Sequence, residues 1–209
     1  MPLPPTVATV NPKGGTGKTT IAVHLAVAAC RASYRIALLD ADPQGSVLEW
    51  QRRTPADYDG PFVDRLGQGR TLAAAIGQTD AQMVVIDSPA GLGGRTRRVL
   101  INADLALVPV RPSGLDLWGT NEFLEVLDEY VDRGLTAAFV ISQKDPRSSL
   151  SDRLTDELRQ HGIPLLNGLA SRVAYARSMY EGQTVLDGYD PKAAREVLTL
   201  LDEVGTLLS

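Results

Sequence analysis

Short apolar runs alternate along this chain with longer stretches whose apolar residues recur at helical spacing, which predicts strand then helix, repeated. Val7-Ala8-Thr9-Val10 is the first run, and Ile21-Ala22-Val23-His24-Leu25-Ala26-Val27-Ala28-Ala29 the first helical stretch. Arg35-Ile36-Ala37-Leu38-Leu39, Met83-Val84-Val85-Ile86, Leu105-Ala106-Leu107-Val108-Pro109-Val110 and Ala137-Ala138-Phe139-Val140-Ile141 read as further strands. Residues 163–166 read as an edge strand, because Pro164 removes a ladder donor. Helices are expected at 71–76, 95–102, 115–131, 151–161, 173–181 and 191–208. Proline, glycine and aspartate interrupt both periodicities at 52–61, which reads as a loop. Apolar runs between amphipathic helices imply a mainly parallel, doubly wound sheet flanked by helices, a single α/β domain over 1–209. No internal repeat, low-complexity segment or interdomain linker breaks the pattern.

Length and composition narrow the picture without deciding it. The 209 residues suffice for one domain, and 44% apolar with 22% charged residues describes an ordinary globular chain. A formal charge of −4 exerts no global pull on nucleic acid, so any DNA contact must rest on a local patch. Cys30 is the single cysteine, which excludes an intrachain disulfide and leaves too few ligands for a cluster shared between subunits. Its alanine-rich surroundings suggest a core thiol. Met1-Pro2-Leu3-Pro4-Pro5 lacks the basic head of a signal peptide, and no apolar run approaches a membrane span, so a cytoplasmic protein is expected. His24 and His161 have no metal-site company; the first packs or meets solvent, and the second faces carbonyls at a helix end. Trp50 and Trp118 read as packing residues, with a subunit contact as the alternative for Trp118.

The chemistry concentrates at Asn11-Pro12-Lys13-Gly14-Gly15-Thr16-Gly17-Lys18-Thr19-Thr20, between the first strand and the first helix. Strand, glycine loop and helix form a phosphate cradle: inward N–H groups bind phosphate oxygens, and the helix N-terminus adds partial positive charge. The predicted nucleotide-binding set is Lys13, Gly14, Gly15, Thr16, Gly17, Lys18, Thr19 and Thr20. Lys18 is placed to reach the β- and γ-phosphates, and the Thr19 hydroxyl to ligate Mg²⁺. A chance glycine turn with a solvated lysine is the bland alternative, and the motif's length and context argue against it. Parallel sheets bind ligands beyond the carboxyl ends of their strands, where Asp40, Asp42 and Asp87 fall. Asp87 suits a Mg²⁺-holding role opposite Thr19, while helix capping or turn formation competes for Asp40 and Asp42. The segment from Asp87 to Gly94 is glycine-rich: a loop responsive to the γ-phosphate, a surface turn, or both.

The loop departs from the ordinary P-loop by carrying Pro12 where glycine is expected and a second lysine, Lys13. Lys-Gly-Gly-Thr-Gly-Lys-Thr-Thr resembles the deviant P-loop of the ParA/MinD ATPases. Asp40-Ala41-Asp42-Pro43-Gln44 matches that family's Asp-x-Asp-Pro-Gln, and Pro109-Val110-Arg111-Pro112-Ser113 through Asp116 resembles its Pro-x-x-Pro-Ser-x-x-Asp. The chain is most similar to the short, ParF-like plasmid partition proteins, which have no N-terminal helix-turn-helix domain, and with so short a leader before the first strand none is expected here.

The resemblance implies an ATPase using ATP and Mg²⁺, catalytic through Lys13, Lys18 and Asp42. Lys13 would reach the partner's nucleotide in an ATP-dependent sandwich homodimer, and Asp42 would orient the attacking water. Asp40 would support a metal shell built from Thr19 and Asp87. It further implies nonspecific DNA binding on the nucleoid, hydrolysis stimulated by a ParB-like adaptor, and partition of a plasmid or chromosome. Arg172, Arg177, Lys192 and Arg195 would carry the DNA contact; solvated helix charges among Glu181, Asp187, Asp190 and Glu196 are the alternative. Family members hold adenine just after the next strand, often with asparagine, where this chain departs with Ser142-Gln143-Lys144. Rival readings are a positioner of protein cargo such as chemoreceptor arrays or carboxysomes, a MinD-like membrane switch, and a P-loop amidating ligase. The membrane switch needs a basic amphipathic C-terminal helix, and this terminus is acidic and interrupted by Gly205. A kinase would want a C-terminal tyrosine cluster.

Overall fold

A computed structural model describes residues 3–66, 71–112, 120–145, 149–188 and 190–209. Its framework is a seven-stranded sheet. The strands are β1 (Thr6–Thr9), β2 (Ile36–Asp40), β3 (Phe62–Arg65), β4 (Met83–Asp87), β5 (Leu105–Val110), β6 (Thr136–Ile141) and β7 (Leu165–Leu166), in the order β3-β2-β4-β1-β5-β6-β7. Every pairing between named strands is parallel. The helices are α1 (Lys18–Arg31), α2 (Ser46–Arg53), α3 (Leu72–Gly77), α4 (Gly94–Ile101), α5 (Thr120–Val131), α6 (Ser149–Arg159), α7 (Val173–Tyr180) and α8 (Pro191–Leu207).

Alternation along each strand divides the core into two layers. Val7, Leu38, Leu105 and Leu107 face α1, α2, α7 and α8 on one side. Ala8, Leu39, Ala106 and Val108 face α3, α4, α5 and α6 on the other. With both faces covered, the strands carry continuous apolar runs instead of an alternation with polar residues.

Two elements escaped the hydrophobic pattern. α2 buries only Val47 and Trp50, and β3, at the sheet edge, buries only Val63, so neither carries a readable period. The loop expected from residue 52 therefore begins after Arg53. The start of the helix expected at 115–131, with Asp116 and Trp118, lies outside the described residues; the described helix runs from Thr120. β7 occupies the opposite edge, where Pro164, unable to donate, accepts from the Phe139 amide at 2.8 Å. Gly205 does not interrupt the last helix: α8 continues to Leu207. Its buried stripe of Ala193, Val197, Leu200 and Val204 outweighs the ~1 kcal/mol helix cost of glycine. That stripe packs in the α1 layer, so α8 is a core helix. Among the described residues no helix is long and apolar enough to cross a membrane.

β1 lies between β4 and β5, and the chain leaves it toward β2 on one side while β4 crosses over it to β5. Such a reversal opens a crevice at the carboxyl ends of the strands. Register places Thr9 and Asp40 on either side of Asp87 at that edge.

Candidate functional site

The loop between β1 and α1 is braced from beneath. Asn11 donates through Nδ2 to Pro109 O at 2.7 Å and accepts the Lys13 amide at 2.8 Å. Gly15 and Gly17 take φ of 72° and 96°, the left-handed region in which a Cβ is strained. At Gly17 a Cβ would also come within 3.3 Å of Ser142 Cβ. The Ser142 hydroxyl donates to Thr16 O at 2.6 Å, tying the loop to the end of β6. The Lys18 ammonium is drawn into the ring, donating to Asn11 O at 3.1 Å and Lys13 O at 2.9 Å. Burial lowers its pKa, against the pull of Asp87 and Asp42. Lys13 is partly buried on the loop's rim.

Asp87 is fully buried at the end of β4. Its Oδ2 accepts from the Thr19 hydroxyl at 2.7 Å, and its Oδ1 faces Thr9 Oγ1 at 3.4 Å. Burial, with Asp40 and Asp42 adding to it, pushes its pKa up to about 7, against the Thr19 hydrogen bond and Lys18. A carboxylate and a hydroxyl side by side, beside a cradle for phosphate, are the hard oxygen donors that suit Mg²⁺. Among the described residues no three His, Cys, Asp or Glu converge as a metal cage.

Asp40 and Asp42 divide their work. Asp40 accepts the amides of Asp42, Val47 and Leu48 at 3.1, 3.1 and 3.2 Å, so it anchors the turn and the first turn of α2. Gly45, the N-cap of α2, has no side chain to do this. The carboxylate expected in the metal's surroundings gives its oxygens to backbone amides, while its register places it directly beside Asp87 on the neighbouring strand. Asp42 accepts the Gln44 amide at 2.9 Å and borders an open groove shared with Pro43, Gln44, Gly93 and Gly94. Across it, the Asp87–Gly94 loop is tied to the P-loop by Gly91 N donating to Pro12 O at 2.8 Å.

A cleft of about 210 Å³ adjoins the loop on its β6 side, lined by Gly17, Thr20, Ser142, Gln143, Arg172 and Tyr175 among others. Its place beside the phosphate cradle fits the nucleoside end of a nucleotide. Gln143, at φ 55°, donates to Gly15 O at 3.4 Å and closes one wall. Beneath the opposite wall, His24 is held neutral. Its Nδ1 donates to Thr20 O at 2.7 Å, and its Nε2 accepts the Val185 amide at 3.2 Å. Burial lowers its pKa to about 4. A larger cleft, about 680 Å³, opens far from this loop among Cys30, Tyr34 and Phe62, and shares no residue with it.

The four cations expected to meet DNA separate into two pairs. Arg172 lines the cleft beside the loop and is paired with Glu196 at 2.7 Å and Asp190 at 3.8 Å. Arg177 pairs with Glu181 at 2.9 Å. Lys192 and Arg195 stand exposed on α8. The structure also gives roles to residues that the sequence left without one: Asn11, first in the motif, braces the loop, Ser142 and Gln143 line the cleft after β6, and His24 packs beneath it. Tyr175, not singled out in sequence, reaches the cleft through packing between distant segments.

A glycine loop closing on a buried lysine, followed by a threonine against a strand-end aspartate, defines a P-loop nucleoside triphosphatase. The chain belongs to the CobQ/CobB/MinD/ParA family, whose nucleotide binding domain matches residues 7–185. It is an ATPase of that family, with ATP as substrate and Mg²⁺ as its metal. It is 32% identical over 209 residues to maintenance of carboxysome distribution protein A of Halothiobacillus neapolitanus, covering 95% of each chain. The protein of the same name from Gloeobacter kilaueensis is 34% identical over 202 residues, covering 92% of this chain and 88% of that one. In fold it is similar to a plasmid partition protein of Borrelia burgdorferi bound to AMPPNP. The TM-score is 0.77 at 15% identity, covering 97% of this chain and 99% of that one.

Proposed function

We propose that this chain is an ATP-driven switch that spaces a protein cargo of the carboxysome type by dimerising on DNA. The observation that carries the cargo is its near full-length similarity to two carboxysome distribution proteins. That similarity favours protein cargo over plasmid or chromosome partition, and over a specifically ParF-like assignment. The buried stripe of α8 speaks against a membrane-binding C-terminal helix.

Phosphoryl transfer asks mainly for positioning and charge neutralisation. Loop amides and Lys18 would hold the phosphates, and the cleft between Gln143 and Tyr175 the nucleoside. Thr19 and Asp87 would hold Mg²⁺, which when bound neutralises the β,γ-oxygens. Asp42 would orient the attacking water from the groove, kept in place by the turn that Asp40 anchors. Lys13, on the rim, would reach the second protomer's nucleotide, so that ATP joins the dimer and hydrolysis releases it. Dimers would bind DNA nonspecifically, and a ParB-like adaptor on the cargo would trigger release.

The test is made in cells carrying fluorescent protein and cargo, with the gene deleted or changed to Lys13→Ala. Spaced assemblies that clump in both strains support the reading. Assemblies that stay spaced while a plasmid is lost would return the chain to partition.

A further inference from the structure

We propose that α4, and not the C-terminal helices, is the principal DNA-contacting surface, gripping the phosphate backbone through Arg95 and Arg98. This rests on the DNA-riding reading above and specifies its surface. In a chain of net charge −4, most described arginines are taken up internally. Arg31 pairs with Asp187, Arg53 with Glu49, Arg97 with Glu129, Arg172 with Glu196 and Arg177 with Glu181. Two exposed pairs one helical turn apart have no such partner among the described residues: Arg95 with Arg98, and Lys192 with Arg195.

Their surroundings differ. Lys192 and Arg195 follow the capping carboxylate of Asp190 and adjoin Glu196, so with Arg172 they share an ion-paired cluster in which two carboxylates offset part of the positive charge. From Pro89 to Ala103, by contrast, the sequence holds three arginines and no acidic residue. Thr96, Val99 and Leu100 bury one side of α4. Arg97 leans to one flank, where it neutralises Glu129 of α5, and Arg95, two residues earlier on the other flank, stands at the rim of the open groove that Asp42 borders. Arg98 completes an outward face of cations that a polyanion complements.

The same helix is wired to the nucleotide. The Thr96 hydroxyl donates to Gly91 O at 2.8 Å, and the Gly91 amide donates to Pro12 O of the P-loop at 2.8 Å. A rearrangement of the Asp87–Gly94 loop on ATP binding would therefore re-aim α4, making its grip on DNA depend on nucleotide.

The test measures binding of a random-sequence duplex over a salt series, with a slowly hydrolysed ATP analogue and with ADP. Nucleotide affinity and dimer formation are followed beside it. Arg95→Ala with Arg98→Ala is expected to weaken binding about tenfold or more. The steepness of the log–log salt dependence should fall by about two, roughly one unit per lost phosphate contact. The paired lysine variants should restore most of both, and Lys192→Ala with Arg195→Ala should change little. Wild-type binding that survives the α4 alanines but is lost with the α8 alanines would overturn the proposal alone. Wild-type protein that dimerises with ATP yet ignores DNA would overturn the DNA-riding reading, and this surface with it.

Discussion

Replacing Asp40 with alanine removes the acceptor for the amides of Asp42, Val47 and Leu48. Two of these belong to the first turn of α2, whose N-cap, Gly45, has no side chain. Loss of a helix cap costs about 1 kcal/mol, and a hydrogen bond to an ionised group contributes about 1.5–3 kcal/mol. Val47 is buried, so its freed amide cannot turn to solvent. Against this stands the desolvation of the carboxylate, which raises the Asp40 pKa and offsets part of the gain. A net loss of about 3 kcal/mol follows, or on the order of 6–12 °C in Tm for a domain of this size. Asparagine keeps one acceptor oxygen and should lose about half as much. The assay is urea and thermal unfolding of nucleotide-free protein, with Mg²⁺ titrations of ATP hydrolysis in parallel. The expected pattern is lower stability and lower kcat, because the Asp42 turn loosens, with the Mg²⁺ requirement unchanged. Full stability of Asp40→Ala together with a large rise in the Mg²⁺ requirement would refute this reasoning and make support of the metal shell the main work of Asp40.

Other residues make independent predictions. Burial raises the Asp87 pKa from 3.8 to about 7, so the folded nucleotide-free chain binds a proton there that the unfolded chain releases. That stabilisation is complete below about pH 3.8 and lost as pH rises through 7, a change on the order of 4 kcal/mol. Asp87→Asn should therefore unfold at higher urea than wild type at pH 8 while hydrolysing no ATP; equal or lower stability would contradict the assignment. His24 has the opposite sign, because burial lowers its pKa from 6.5 to about 4. Its stabilisation is complete above pH 6.5 and falls toward pH 4, by about 2 kcal/mol at pH 5. The two slopes oppose, so each is read as wild type minus variant, and His24→Gln should remove the acid-side loss. At the loop, Gly17→Ala forces a Cβ into a left-handed residue beside Ser142, whereas Gly14 has nothing within 4 Å. A strain of about 1–2 kcal/mol should weaken binding of a fluorescent ATP analogue roughly tenfold at Gly17 and little at Gly14. Equal effects at both would sink the account of the cradle.

What the sequence determined by itself is whatever is local in the chain. The P-loop from Lys13 to Thr20 is read from spacing, because strand, glycines and helix are contiguous and their chemistry depends on neighbouring amides. The buried strands were legible for a similar reason, since both faces are covered and each run is continuously apolar. α2 and β3 were not, because an eight-residue helix with two buried side chains and a four-residue edge strand leave no period. Asp40 shows the limit at the site: its position at the carboxyl end of β2 was readable, but its service to α2 depends on how the chain turns at Gly45.

Only the tertiary structure decided which charges remain available and which segments line the cleft beside the P-loop. Arg172 and Arg177 look basic in sequence, yet Arg172 meets Glu196, a distant residue brought beside it by the packing of α7 and α8. Arg95 and Arg98 draw no notice in sequence, and gain significance because Glu129 is claimed by Arg97. The cleft joins Gly17, Ser142 and Tyr175 from three separate segments. Local spacing encodes what one stretch of backbone can bind. Pairing, burial and enclosure depend on which distant segments the core brings together.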